Sequence, residues 1–453
     1  MSTSGTLDLT VAELSRAYRQ RSLSPRDVAE EALLRIERLD VQLHAFTTLT
    51  PHLLLEQADA AEQRLHGGEE GPLLGVPVSI KDVFDVEGVR STFGSLVYRD
   101  NIAVRDCGAV VRLRAAGALF TGKTNTPEFA QSATCENRLG PDTANPWDQR
   151  RTPGGSSGGA AVSVAAGMAT VALGSDGGGS LRIPAAFTGL VGMKPSTGVC
   201  PDEGGFVSMA DFSTPGPLAR SVDDVRRVLG ILADTPFGRG RVPRTLRIGW
   251  CARPEGRPVA MEVSRGTAGA VAVLEAMGHH VDEVEVPVRG WYDIFGPFVL
   301  DTEHRSRGHL LESHASELTS YERNTLEAAR RQAQRNRGLP RDALRAYRYQ
   351  MARFFDDIDI AVTPATAVQP FAIGCRPTTV EGVPIDTLWG PFPFTAPFNV
   401  AGVPALSLPC AIANRLPVGV QLVAARGHDA LLLDAAEALE EALALDMHHP
   451  PSD

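Results

Sequence analysis

The chain has 453 residues, 43% of them hydrophobic, enough to bury a large core in one big domain or in two or three ordinary ones. A formal net charge of -10 without any basic block argues against a nucleic-acid partner, and the longest low-charge apolar run, residues 159–174, is too short to span a membrane. The opening MSTSGTLDLT lacks the basic and apolar regions of a secretory signal, and the six cysteines are scattered with no CxxC, so reduced thiols in a cytoplasmic protein are expected.

In chain order, residues 10–39 carry apolar side chains three and four apart, the spacing of amphipathic helices, with a break at Ser24-Pro25 where SPRD has the form of a capping box. Residues 72–82 read as a buried strand, 106–116 as a helix ending at Gly117, and 118–121 as a short strand. Farther on, 221–232 read as a helix and 234–245 as a surface connection with Pro and Gly. Residues 246–287 then form a strand-helix-strand unit whose helix ends near Gly278, and the Arg-rich stretch 329–338 reads as a solvated helix face. Strands alternating with helices predict an α/β fold, a central mixed β-sheet covered by helices on both faces.

Between residues 153 and 184 the sequence PGGSSGGAAVSVAAGMATVALGSDGGGSLRIP sets two glycine-serine clusters around a run of small apolar residues. Gly177, Gly178 and Gly179 directly precede Ser180, so several unhindered N–H groups stand beside one hydroxyl, an arrangement that can hold an oxyanion while the serine attacks. Such a serine needs a proton acceptor, usually histidine, yet none occurs between His66 and His279. Of 44 basic residues only Lys81, Lys123 and Lys194 are lysines, and each falls in a glycine-containing motif. Arginine cannot serve as a base, so at least one lysine is expected to be there for its amine. Val76, Val78 and Ile80 lead into Lys81 as a buried strand, and burial favours the neutral amine.

Three other motifs compete. GALFTGKT, residues 117–124, fits GxxxxGK[ST], but a helix precedes its first glycine and the strand-like residues fall inside the loop, against nucleotide binding. Residues 155–159 fit GxSxG with Ser157 central, a reading that needs a histidine in a motif of its own. His279-His280 and His448-His449 are adjacent pairs without ligand spacing, so no metal is expected.

GGSSGG and GSDGGGSLRIPA, with GPLLGVPVSIKD, RAAGALFTGKTNTPEFA, ANPWDQRRTPGGSSGG, VGMKPSTG, STPGPLARSVDDV, FNVAGVPALSLPC and LPVGVQLV, resemble the amidase signature family of serine hydrolases over most of the chain. The resemblance implies one domain over 1–453, with N-terminal helices over 1–65 and a catalytic core over 70–200. A variable substrate-pocket region over 245–345 and a C-terminal part of the core over 355–446 complete it. It implies Ser180 as nucleophile, Ser156 as a proton relay joined to Gly155 by a cis peptide bond, and Lys81 as general base. The N–H groups of Gly177, Gly178, Gly179 and Ser180 would form the oxyanion hole, and no cofactor is implied. The implied activity is cleavage of a small-molecule amide by a monomer or homodimer, with carbamates (urethanes) and aryl esters open as substrates. The family also includes the amidotransferase A subunit, which works in a complex on a tRNA-bound substrate; this chain departs from it after Pro201, at DEGGFVSMADFSTPGP. A catalytically silent binding protein is disfavoured because all three catalytic positions are filled. For the pocket, residues 204–212, 291–298 and 386–394 put forward Phe206, Met209, Trp291, Tyr292, Phe295, Trp389 and Phe392, with ordinary core packing as the alternative at each.

Overall fold

The computed structural model describes residues 5–240, 245–335 and 338–447. Residues 241–244 of the expected surface connection, 336–337 of the Arg-rich stretch, and the His448-His449 pair therefore lie outside the described residues.

The strands are β1 (Phe46–Leu49), β2 (Pro77–Lys81), β3 (Leu119–Thr124), β4 (Val171–Asp176), β5 (Val191–Lys194), β6 (Thr214–Ala219), β7 (Arg247–Trp250), β8 (His280–Glu283) and β9 (Ile360–Pro364). After a small hairpin, β10 (Thr379–Val380) and β11 (Val383–Pro384), come β12 (Ala405–Ala413) and β13 (Leu416–Ala424). All but the hairpin join one 11-stranded sheet in the order β1-β3-β2-β4-β6-β5-β12-β13-β9-β7-β8. β2 runs parallel to β3 and β4, and β7 parallel to β8 and β9, while β4, β6, β5, β12, β13 and β9 pair antiparallel across the centre. Every residue of β2, β3 and β13 is buried, as expected of strands covered on both faces.

The covering helices are α1 (Val11–Arg19), α2 (Pro25–Leu43), α3 (Pro51–His66), α4 (Gly108–Ala115), α5 (Gly158–Ala165), α6 (Arg182–Thr188) and α7 (Val222–Leu232). They continue with α8 (Met261–Ala276), α9 (Trp291–Arg307), α10 (Leu310–Ser313), α11 (Ser320–Gln334), α12 (Arg341–Phe354), α13 (Ala396–Ala401) and α14 (Asp429–Leu443). The predicted break lies between α1 and α2, where Ser24 Oγ accepts from the Asp27 N–H at 3.1 Å and the Ser24 N–H donates to Asp27 Oδ2 at 3.2 Å. α2 runs past residue 39, stopping where His44 turns left-handed. β2 begins at Pro77 rather than 72, because Gly75 at φ +81° turns the chain just before it. The strand-helix-strand unit is β7, α8 and β8. No helix among the described residues is long and apolar enough to cross a membrane.

Parallel pairing of β2 with β4 is what positions the site. It brings Lys81 and Asp176, the last residues of the two strands, out at the same C-terminal end of the parallel strands, where the chain leaves both as loops.

Candidate active site

The Lys81 side chain is 0% exposed, and Nζ lies 2.7 Å from Ser156 Oγ and 3.0 Å from Ser175 Oγ. Ser156 follows Gly155 through a cis peptide bond. Lys81 forms no ion pair among the described residues, so burial dominates its chemistry. It pushes the amine from 10.5 down to about 7, against the opposing pull of Cys135 and Asp176. At neutral pH much of the amine is then free base, and its lone pair can accept the Ser156 hydroxyl proton.

The loop after β4 is shaped by a buried network. The Asp176 carboxylate accepts from the Gly179 N–H at 2.7 Å, the Leu181 N–H at 3.2 Å, and Nε and Nη2 of Arg182, each at 2.9 Å. Arg182 also donates to Thr395 O at 2.9 Å, Gln421 Oε1 at 2.7 Å and Asn399 Oδ1 at 2.6 Å. Both charges are 0% exposed, yet both are fully coordinated, the condition under which a buried pair is tolerated. Burial pushes the Asp176 carboxyl up, but Arg182 and Asn399 outweigh it and hold the acid well below the usual carboxylate range. At Gly179, with φ +128°, a Cβ would lie 2.2 Å from Thr395 Oγ1, and at Gly178 it would lie 2.9 Å from Trp389 Cη2. Only glycine fits this approach. Among the four expected oxyanion donors, Gly179 already directs its N–H to Asp176, whereas those of Gly177, Gly178 and Ser180 have no partner among the described residues.

The competing motifs are occupied elsewhere. Ser157 is 0% exposed, and its Oγ donates to Ser175 O at 3.1 Å and accepts from the Ser175 N–H at 3.4 Å, a structural role on β4 rather than a nucleophile's. Residues 119–124 of the phosphate-loop match form β3, and Lys123 Nζ lies 2.7 Å from Asp82 Oδ1 in a buried ion pair. Lys194 is also pushed down to about 7, by burial and by Arg182, but it donates to the Pro195 carbonyl, which has no proton to give. The three lysines are thereby sorted: only Lys81 faces hydroxyls in the glycine-serine clusters.

Two cavities meet at Ala130, Ser180 and Met209. The larger, about 810 Å³, has an apolar wall of Met209, Tyr292, Phe295, Val299, Leu300 and Trp389 and a polar one that includes Gln131, Ser132, Asn137, Tyr321, Asn324 and Arg376. The smaller, about 240 Å³, touches Ser156, Ser175, Gly177, Phe206 and Ser208. No histidine lines either among the described residues. Phe206, Met209, Tyr292, Phe295 and Trp389 thus face the cavities, but Trp291 and Phe392 do not. Trp291 is 2% exposed and packs edge-on behind Trp389, with ring centroids 5.2 Å apart. Phe392 is 0% exposed in a core cluster with Phe187 and Phe371. Sequence reasoning missed the polar wall, which comes from segments 127–138, 319–328 and 376; beyond Ala130, where RAAGALFTGKTNTPEFA ends, no motif marks it, and its only signal is the uncharged polar run around Gln131 and Ser132.

A family model described as Amidase matches residues 27–433. The chain is similar to the A subunit of the glutamyl-tRNA(Gln) amidotransferase of Synechococcus sp. (strain JA-3-3Ab), at 33% identity over 481 residues that cover 97% of this chain and 93% of that one. Among solved structures it is similar to an amidase, with a TM-score of 0.89 at 32% identity over 96% of this chain and 99% of that one. It is also similar to a bacterial aryl acylamidase belonging to the amidase signature enzymes, with a TM-score of 0.85 at 27% identity over 96% of each chain.

Proposed function

Because the chain belongs to the amidase family, we propose that it is a stand-alone serine hydrolase that cleaves the C–N bond of a small linear amide, as a monomer or homodimer. In this reading Ser180 Oγ attacks the carbonyl carbon while its proton passes to Ser156 and the Ser156 proton passes to neutral Lys81. The N–H groups of Gly177, Gly178 and Ser180 hold the oxyanion, where charge develops. Collapse of the tetrahedral intermediate breaks the C–N bond; the proton returns from Lys81 through Ser156 to the leaving amine. Water then hydrolyses the acyl-enzyme by the same relay. Each step draws on this chain's own groups, without metal or organic cofactor.

The observation that carries the reading is the buried Lys81 amine, held near neutrality 2.7 Å from the Ser156 hydroxyl. The larger cavity falls within the size range of small-molecule sites, and its apolar wall suits an aryl or alkyl group. Carbamates and aryl esters present a similar carbonyl and extend the proposed range. An alkoxy fluorophosphonate should label Ser180, and Ser180→Ala should lose both label and turnover. An adduct mapped to Ser157 would overturn the assignment. A second reading, an A-type amidotransferase component that works only with its partner proteins, is favoured by the 33% identity to such a component. Hydrolysis of chromogenic amides by the purified chain alone decides between the two.

A further inference from the structure

Arg376 lies between β9 and β10 and lines the larger cavity, the same one that Ser180 lines. Its Nη2 donates to Ser132 Oγ at 2.5 Å and Thr134 Oγ1 at 2.8 Å, and its Nη1 to Thr387 O at 3.3 Å. All three acceptors are neutral. Arg376 is half-buried and forms no ion pair among the described residues; Arg90, Arg220 and Arg348 share that state, but only Arg376 of the four lines the cavity. Its Nε–H and second Nη1–H have no protein partner among the described residues.

The surrounding charges leave this cation available. Glu136 accepts from the Thr134 hydroxyl at 2.7 Å, so that hydroxyl stands between it and Arg376. Glu128, also on the cavity wall, is taken by the Ser95 hydroxyl at 2.6 Å and by the N–H and hydroxyl of Thr319 at 2.7 and 2.6 Å. Arg138 is exposed and turned to Ser316 O and Leu318 O. Tyr321 lines the same wall, and its phenol is pushed up rather than down despite the pull of Arg376, so it remains a protonated donor there. The backbone of Thr134, which holds Arg376, packs on Gly155, where a Cβ would lie 2.3 Å from Thr134 O; the guanidinium is thus tied to the segment that carries Ser156. A cavity that combines a nucleophile, an apolar wall and a half-buried guanidinium with no ion pair among the described residues is complementary to an amide that also bears an anion.

We propose that Arg376 is a specificity-determining residue that binds a carboxylate carried by the substrate across an apolar spacer from the scissile carbonyl. This rests on the reading of Ser180 as nucleophile. Carboxylate and guanidinium match in geometry, and a charge-assisted hydrogen bond in a partly desolvated wall outweighs a neutral one.

The test is protection of Ser180 from fluorophosphonate labelling by paired ligands: the monoanilides of glutaric, adipic and pimelic acid, each against its twin with a carboxamide in place of the free acid. At least one acid should protect at about tenfold lower concentration than its twin. That ratio should shrink at high salt, fall to about one in Arg376→Gln, and return in part in Arg376→Lys. A purely structural role would weaken both twins alike and leave the ratio in place. Equal protection by the twins in the unmodified protein, including none by either, overturns the proposal whichever variants fold, as does a preference that survives Arg376→Gln. An adduct away from Ser180 would instead remove the catalytic reading on which this site rests.

Discussion

Replacing Lys81 with arginine separates the charge of this side chain from its capacity to accept a proton. Burial lowers the amine from 10.5 to about 7, which corresponds to roughly 5 kcal/mol of disfavoured protonation at full burial. A guanidinium stays charged at any workable pH, so Lys81→Arg would carry a cost of that order and supply no base. Its kcat/KM should fall by about a hundredfold or more, the size of a general-base contribution, as should that of Lys81→Met. In the unmodified enzyme kcat/KM should rise with pH through about 7, the value for Lys81, because the proposed mechanism needs the neutral amine. The same displacement acts on stability. Between about 7 and 10.5 the unfolded chain binds the more protons at this position, so the contribution of Lys81 improves as pH rises across that window and its full penalty is present below it. Lys194 titrates over the same window, so the measurement is the difference between the unmodified chain and Lys81→Met in urea unfolding, taken at both ends of it. A rate profile that stays flat through pH 7 with an anilide substrate, or near-normal turnover in a folded Lys81→Arg protein, would refute the reasoning.

Asp176→Asn leaves Arg182 charged, 0% exposed and without its anion, so about 3–5 kcal/mol of stability should be lost, read as a lower urea midpoint at unchanged m-value. Phe392→Ala should cost about 3–5 kcal/mol with KM nearly unchanged, since the ring is core. Trp389→Ala should chiefly raise KM; the reverse pattern would contradict the cavity assignment. Dialysis against EDTA should leave turnover intact and ATP should give no binding heat, because Lys123 is already paired with Asp82; a rate lost to the chelator and restored by zinc would remove the mechanism.

What could be read in the sequence was whatever depends on neighbours along the chain. The capping box at Ser24 and Asp27, the helix stop near Gly117 and the strand into Lys81 are each set within a few residues, and all are present. The glycine-serine clusters marked Ser156 and Ser180, yet Ser175 in the second cluster, which receives the other Lys81 bond, carried no distinguishing sign. Strand order was out of reach because pairings such as β5 with β12, Lys194 opposite Ala405, join segments distant in sequence. Aromatic content marked the right segments but not the right rings: Trp291 and Phe295 sit one helical turn apart on α9 and both pack against Trp389, yet only Phe295 lines the cavity. Arg376 lies on a stretch with no periodicity at all, and the role proposed for it rests on the lack of a carboxylate partner among the described residues, which no sequence pattern records.

The anchoring of the Ser180 loop also has a consequence for timing. Arg182 reaches Thr395 and Gln421, which lie 213 and 239 residues farther along the chain. A chain made from its N-terminus therefore presents Ser180 long before it has synthesised the groups that shape the loop. Until β13 has been made and joined the sheet, the glycines have little to bend against and the guanidinium lacks its acceptors. If Ser180 is the nucleophile, a nascent or truncated chain should therefore be a poor acylating target even though it already contains Lys81, Ser156 and Ser180.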